Sequence, residues 1–397
     1  MVSFEAARSQ VLGAARPGPV SFAQVDADAV GRFLAEPLVA RVDSPPFTNS
    51  AVDGYGVIAA DGAGRRRLVA AVAAGETPTE AVGVGEAARV LTGAPVPTGV
   101  DAVAMQEECQ VKGDSVVVPD LSPGANVRQR GEEYRAGDPL LPAGTQVTPA
   151  VLGLLAANGV GEFASRGFPS VEIVATGSEL VPLGQSLGPG QVYDSNGVAL
   201  AAAVRALGGD PRRHSVDDDS ARLRERLRQS LADADVLITT GGVSVGDRDL
   251  VKETLEELGV VREFWRIHMK PGKPVYFGTR GHQLIFGLPG NPVSALVTFH
   301  LLVRPALLAM AGATMEEPLL PARLGRAVRK REGRAEFVRG RLANQDGALV
   351  VTPTEGQGSH MVGGIASADA LIHLPAGECE LPKGAPVPVS MLRWGAL

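Results

Sequence analysis

The chain of 397 residues predicts a multidomain protein of α/β plus β class, with a doubly wound α/β domain at its centre. Three observations carry this. From Pro169 to Met310, apolar strand-like runs alternate with helix-like runs, the pattern of a largely parallel sheet covered by helices. Elsewhere short β-like runs are broken by glycine and proline, of which the chain has 49 and 29. The length leaves room for about two to four domains.

The elements follow in order. Residues 3–16 and 21–36 read as two short helices, with Ser21 as the N-cap of the second and Gln24 as its capping-box partner. Pro45-Pro46 then breaks the pattern. Between residues 47 and 139 the runs Gly56–Ala59, Leu68–Ala73, Ala87–Leu91, Ala102–Gln106 and Ser115–Val118 predict a small β domain. Thr148 as N-cap and Pro149 at the first helical position start another helix, to residue 160. Packing of that helix against the N-terminal pair makes residues 1–46 and 140–168 a helical linking domain. The β domain of residues 47–139 is then an insertion in it.

The α/β domain occupies residues 169–318. Strand Val171–Ala175 leads to helix Asn196–Leu207, which stops at Gly208-Gly209. Strand Arg212–Val216, helix Ser220–Ala232, strand Val236–Thr239 and helix Asp249–Leu258 continue the alternation. Three β-like runs (Glu263–His268, Val275–Phe277 and Gln283–Phe286) precede a long helix from Asn291-Pro292 to Met310. Residues 319–397 return to short β runs, a C-terminal β-barrel or sandwich.

Composition excludes several functions. The formal charge of −6 argues against a nucleic-acid binder, and 4% aromatic residues argue against base stacking along a groove. Cys109 and Cys379 form neither a disulfide framework nor a zinc pattern. Glu5 and Arg8 interrupt any signal-peptide core, and His300, Arg304 and Pro305 interrupt the most apolar stretch. A cytoplasmic protein with no membrane association is expected.

Ligand sites of doubly wound sheets lie at the strand C-terminal ends, and the candidate motifs fall there. Thr240-Gly241-Gly242-Val243-Ser244-Val245-Gly246 is a glycine-rich strand-to-helix turn suited to a phosphate. Asp247 and Asp249 follow it, and carboxylates beside a phosphate call for a divalent cation. In Thr176-Gly177-Ser178-Glu179, Glu179 either solvates a turn or holds a metal. Asp194 and the run Asp217-Asp218-Asp219 read first as helix caps, with a ligand role open for the triple acid. Lys270 and Lys273, braced by prolines and Gly272, form a cationic turn for an anion, or a solvated surface turn. In Gly287-Leu288-Pro289-Gly290-Asn291-Pro292, Asn291 caps a helix whose open N-terminus is a second anion cradle. Asp53-Gly54 reads as a turn. His300 reads as a satisfied interior residue, and Arg329-Lys330-Arg331 as a solvated face.

Taken in order, these stretches resemble the molybdopterin molybdenumtransferase family (MoeA-like proteins, relatives of the gephyrin E domain). The matching pieces are Ala51-Val52-Asp53-Gly54-Tyr55, Leu91-Thr92-Gly93-Ala94-Pro95-Val96-Pro97, Gly131-Glu132-Glu133, Thr176-Gly177-Ser178-Glu179-Leu180, the glycine turn, Lys270-Pro271-Gly272-Lys273-Pro274 and Gly287–Ala295. The resemblance implies an α/β domain like that of molybdopterin adenylyltransferases, a C-terminal β-barrel, and a homodimer whose cleft is shared between chains. It implies that molybdenum from molybdate enters adenylylated molybdopterin with Mg²⁺ present and AMP released. It assigns activity to Asp53, Thr92, Glu179, Asp249 and one of Asp218 or Asp219, with Asp218 the preferred match, and Glu179 and Asp249 near the metal. Substrate binding falls to Gly241, Gly242, Ser244, Gly246, Lys270, Lys273, Pro289 and Pro292. Val52, Glu133 and Ser178 depart from the usual Met, Asp and Asp of the family. Contact with a molybdopterin adenylyltransferase is an implied partnership. Nucleotidyl transfer to molybdopterin, or a non-catalytic scaffold, are the alternatives.

Overall fold

A computed structural model describes residues 1–242, 250–314, 317–330, 332–377, 379–392 and 394. The chain divides into two compact units: Pro37–Pro142 with Leu154–Val160, and the remainder.

The smaller unit is built on a six-stranded sheet in the order Ala102–Met105, Gly54–Val57, Glu86–Val90, Gly64–Val72, Ser115–Val118, Gln110–Lys112. Adjacent residues on one strand face opposite sides. Ala87, Ala102, Ala104 and Val116 therefore fill one core, while Ala88, Val90 and Val103 fill the other. Gly54 is a strand residue and not the turn expected from Asp53-Gly54. A Cβ there would lie 2.0 Å from the Ala104 carbonyl oxygen, so the glycine serves close strand approach.

In the larger unit, Ser3 caps the helix Phe4–Ala14. The helix expected over 21–36 does not form. Val20–Gln24 is a strand in register with Glu162–Arg166, followed by a 3₁₀ turn at Ala27–Ala29 and the short strand Phe33–Leu34. Ser21 donates to the Ser165 carbonyl across the strands, at 3.4 Å, and caps nothing. Cross-strand pairing 140 residues away thus overrides the local capping-box signal, and the segment is mixed, not helical. The helix Pro149–Ala157 is as expected, with the Thr148 hydroxyl accepting from the Val151 N–H at 3.3 Å.

The doubly wound sheet has the order Pro211–Val216, Val171–Thr176, Val236–Thr240, Gln283–Leu288, Tyr276–Arg280, Val261–Trp265. The first four strands run parallel; Tyr276–Arg280 runs antiparallel to them, and Val261–Trp265 antiparallel to Tyr276–Arg280. Every residue of Val171–Thr176 and Val236–Thr240 is buried, because helices cover both faces. Ile173 and Ile238 point to the helix Ser195–Ala206, and Val174 and Leu237 to the helices Ser220–Asp233 and Leu250–Glu257. The chain runs outward in opposite directions from Val171–Thr176, which places the topological switch between that strand and Val236–Thr240. Phe264, Phe277 and Phe286 stack across the other end of the sheet at centroid separations of 5.3 and 5.1 Å. Phe277→Ala is expected to cost about 3–5 kcal/mol, since a fully buried ring leaves a cavity between two others. Equilibrium urea unfolding measures this.

The C-terminal strands Ala335–Gln345, Ala348–Pro353, Leu320–Leu324, Pro386–Met391 and Ala370–Leu374 pair in a ring. The last returns to the first, closing a five-stranded barrel. Met269–Lys270 adds to Ala335–Gln345 as a further short strand. The helical run Pro292–Met310 is long and apolar enough to cross a membrane, but it is 83% buried inside the fold. Its middle turn, Phe299–Val303, is π-helical. His300 lies there, interior as expected but not satisfied: among the described residues its Nδ1 has no partner. Burial, followed by the charge of Arg304, pushes its pKa down to about 3. Lys330 also differs from expectation. It is 3% exposed, and its ammonium donates to the carbonyls of Ala376 and Gly377.

Candidate active site

At the switch point, three loops leave the ends of parallel strands. Gly241 and Gly242 have φ of +86° and +64°, and a Cβ on Gly241 would lie 2.3 Å from the Thr176 carbonyl oxygen. On Gly242 it would meet Val251 at 2.5 Å. Both glycines are thus required for the turn to press onto the neighbouring strand and the following helix. Residues 243–249 lie outside the described residues, and with them Ser244, Gly246 and Asp249.

The structure separates the three consecutive acids. Asp219 caps the helix Ser220–Asp233 by accepting the Arg222 N–H at 2.9 Å. Asp217 pairs with the Arg222 guanidinium at 3.0 Å. Asp218 instead turns to the Thr176–Glu179 loop: its carboxylate accepts the Ser178 N–H, and its own N–H donates to the Ser178 hydroxyl, both at 3.1 Å. Ser178 therefore uses a hydroxyl to fix Asp218 beside Glu179. The Glu179 carboxylate folds over Gly177, where a Cβ would lie 2.5 Å from it, and no hydrogen bond or ion pair holds it among the described residues. Asp194 is the cap that the sequence predicts, accepting the Gly197 N–H at 2.7 Å.

Among the described residues, no three His, Cys, Asp or Glu side chains converge as a ready metal cage. An unengaged carboxylate, Glu179, next to the fixed Asp218 fits a hard cation that keeps most of its water ligands, which is the habit of Mg²⁺.

The second helix start is less open than expected. Asn291 sits at the cap position but its side chain makes no capping bond. The Val293 N–H donates to the Ser359 carbonyl at 3.1 Å and the Ala295 N–H to Asn291 at 3.0 Å, while Pro292 has none. Of the first-turn donors, the Val293 N–H is thus taken by the barrel loop and Pro292 offers none. Pro289 is buried under this turn, and Pro292 takes the first helical position.

Ser359 belongs to a barrel loop that also receives Arg339, a residue the sequence reading missed. Arg339 is 0% exposed. Its Nη2 donates to the carbonyls of Gly356 and Gly358 at 2.8 and 3.3 Å. Among the described residues, its Nε and Nη1 have no partner. No carboxylate pairs with it among the described residues, and burial lowers its pKa. Arg339 lines a cleft of about 230 Å³ with Lys270, Arg326, Arg329, Glu336 and Gln357. Glu336 is held by Lys270 at 3.3 Å, Glu355 by Arg326 at 2.9 Å and Glu380 by Arg329 at 3.9 Å, so the positive charge left over at the cleft is that of Arg339. Lys270 lines this cleft, whereas the exposed Lys273 is not among the residues lining it. The available sequence signal was an arginine inside the apolar strand pattern Phe337-Val338-Arg339-Gly340; its burial becomes visible only once the barrel closes.

In the smaller unit, Asp53 and Thr92 meet, although 39 residues separate them. Asp53 Oδ1 accepts both the Thr92 N–H and the Thr92 hydroxyl at 2.7 Å. These two bonds, backbone first, hold the Asp53 carboxyl below the usual carboxylate range. Glu132 and Glu133 serve structure there: Glu132 accepts the Gln129 N–H at 2.8 Å, and Glu133 accepts the Ser44 hydroxyl at 2.7 Å.

Comparison with known proteins agrees with this anatomy. Residues 2–159 match the MoeA N-terminal region (domain I and II), residues 172–309 a probable molybdopterin binding domain, and residues 321–392 the MoeA C-terminal region (domain IV). The chain is 34% identical to the molybdopterin molybdenumtransferase of Haemophilus influenzae, covering 98% of each. It is 37% identical to that of a Nostoc species, covering 92% of this chain and 87% of the other. Among solved structures, a molybdopterin biosynthesis MoeA protein from Pyrococcus horikoshii aligns with a TM-score of 0.81 at 31% identity over 99% of both chains. With near-complete coverage at such identity, the chain belongs to the MoeA family of molybdopterin molybdenumtransferases.

Proposed function

We propose that this chain inserts molybdenum from molybdate into adenylylated molybdopterin and releases AMP, as a step of molybdenum cofactor biosynthesis. The whole-chain likeness to proteins named molybdopterin molybdenumtransferase carries the reading. The site chemistry supports it. The glycine turn at the switch point suits the pyrophosphate link of the adenylate. Glu179, with Asp218 beside it and Asp249 of the glycine turn, would hold Mg²⁺. The bound cation would neutralise charge on the phosphoryl oxygens. Lys270, with Arg326 and Arg329 of the same cleft, would seat the molybdate dianion, and the buried Arg339 would add positive charge beneath it.

Asp53 and Thr92 would orient water or molybdate in the reaction. We assign them to the partner chain of a homodimer, as the family resemblance implies. A cytoplasmic location and hand-over of the adenylate from a molybdopterin adenylyltransferase complete the proposal.

The test is AMP release from adenylylated molybdopterin with and without molybdate. Release that depends on molybdate is expected, and Lys270→Ala is expected to slow it about 10-fold through loss of one charge-assisted contact. Molybdate-independent release would instead favour simple hydrolysis of the adenylate.

A further inference from the structure

We infer that Asn196 is a positioning residue, a crossbar that ties Thr240, at the entry to Gly241-Gly242, to the Pro289–Asn291 loop, so that these two backbone stretches form one face of the adenylate site. This rests on the function proposed above. Asn196 stands in the first turn of the helix Ser195–Ala206, but that helix is already capped by Asp194. Its side chain is therefore free for another purpose. Its Nδ2 donates to the Thr240 hydroxyl at 2.9 Å and to the Gly290 carbonyl at 2.7 Å. One acceptor is the last residue of the strand Val236–Thr240, and the other lies in the loop that leaves the strand Gln283–Leu288.

Both stretches are poor in side chains that could hold them together. Among the described residues, a Cβ on Gly290 would find only the Gly241 Cα within 4 Å, at 3.8 Å, so the two backbones lie close there with no side chain between them. The Thr240 hydroxyl adds one long contact, 3.5 Å to the Pro289 carbonyl. One uncharged amide nitrogen with two hydrogens thus ties both stretches and leaves no cation beside the bound phosphates. Aspartate fits the same space but presents an oxygen to the Gly290 carbonyl, which cannot donate. Lysine could donate, but it would add a charge at the cradle.

A cradle that loosens by a fraction of an ångström no longer presents its amides to the anion in the productive geometry. The expected signature is specific to one substrate. In the full-length protein, Asn196→Ala and Asn196→Asp should raise the KM for adenylylated molybdopterin about 10- to 100-fold. The KM for molybdate and the Tm should stay near wild type. Thr240→Val, which removes one of the two acceptors, should give a smaller rise. Adding it to Asn196→Ala should cost less than the sum, because both changes cut the same bond.

An Asn196→Ala protein with wild-type KM for the adenylate overturns the inference. So does a fall in kcat that only follows loss of folded protein, with both KM values unchanged. Should Asn196→Ala fail to fold, the near-isosteric Asn196→Asp and the Thr240→Val variant give the same readout. A wild-type protein without molybdate-dependent AMP release would overturn the proposed function itself; a normal wild type with a normal Asn196→Ala overturns only the crossbar.

Discussion

Arg339→Met is expected to lower molybdate-dependent AMP release by about 10-fold or more, through loss of a buried positive charge beneath the cleft that takes the oxyanion. The KM for molybdate should rise, while the KM for adenylylated molybdopterin stays put. Stability should move little, because two effects oppose. Methionine leaves the carbonyls of Gly356 and Gly358 without their donor, which is destabilising. It also removes a buried guanidinium whose Nε and Nη1 have no partner among the described residues, which is stabilising. The residue of about 1–2 kcal/mol, of either sign, corresponds to a few degrees in Tm. A structural arginine would behave differently, losing activity and Tm together. Arg339→Lys should fall between, since it keeps the charge and loses the planar fork. Steady-state kinetics at varied molybdate, beside a thermal melt, decide the matter. Wild-type affinity for molybdate in Arg339→Met would remove this residue from the oxyanion seat.

The α/β domain was legible in the sequence because its signal is local and redundant. The strand Val171–Thr176 and the helix Ser220–Asp233 each satisfy periodicity, flanking turns and caps together. Residues 21–36 were misread because the local capping signal competed with pairing to Glu162–Arg166, which no local window contains. The site was legible in a parallel way. Glu179 and the glycine turn stand at strand ends, where sequence order alone places them. Which of three acids turns inward was not: Asp217 and Asp219 are consumed by Arg222 and a helix start, and only the folded loop shows Asp218 meeting Ser178. Arg339 was invisible because the meaning of a charge depends on its burial, and burial at that position is created by closure of the barrel.

Asp53 and Thr92 offer the other large effect, because the hydroxyl and N–H of one residue set the state of the other. Asp53→Asn keeps the shape and removes the charge; it should reduce turnover about 100-fold or more, in the range of losing a general base or an orienting charge. Thr92→Val keeps the backbone N–H bond to Asp53 but removes the hydroxyl bond, and should cost about 10-fold. The pH dependence supplies the sign. Both Thr92 bonds favour the carboxylate form, so the folded carboxyl titrates below its ordinary value of 3.8. The charged form, with any stability and activity it confers, is present above that ordinary value and lost only as the pH falls through the lower, folded one. Removing the hydroxyl moves this titration upward. The acid limb of kcat/KM in Thr92→Val should therefore lie at higher pH than in wild type, with the backbone bond keeping the shift partial. Asp53→Asn should abolish that limb, while the Tm of both variants stays close to wild type because the pair is solvent-accessible. An acid limb unmoved by Thr92→Val would mean that another group sets it, and Asp53 would lose its place in the chemistry.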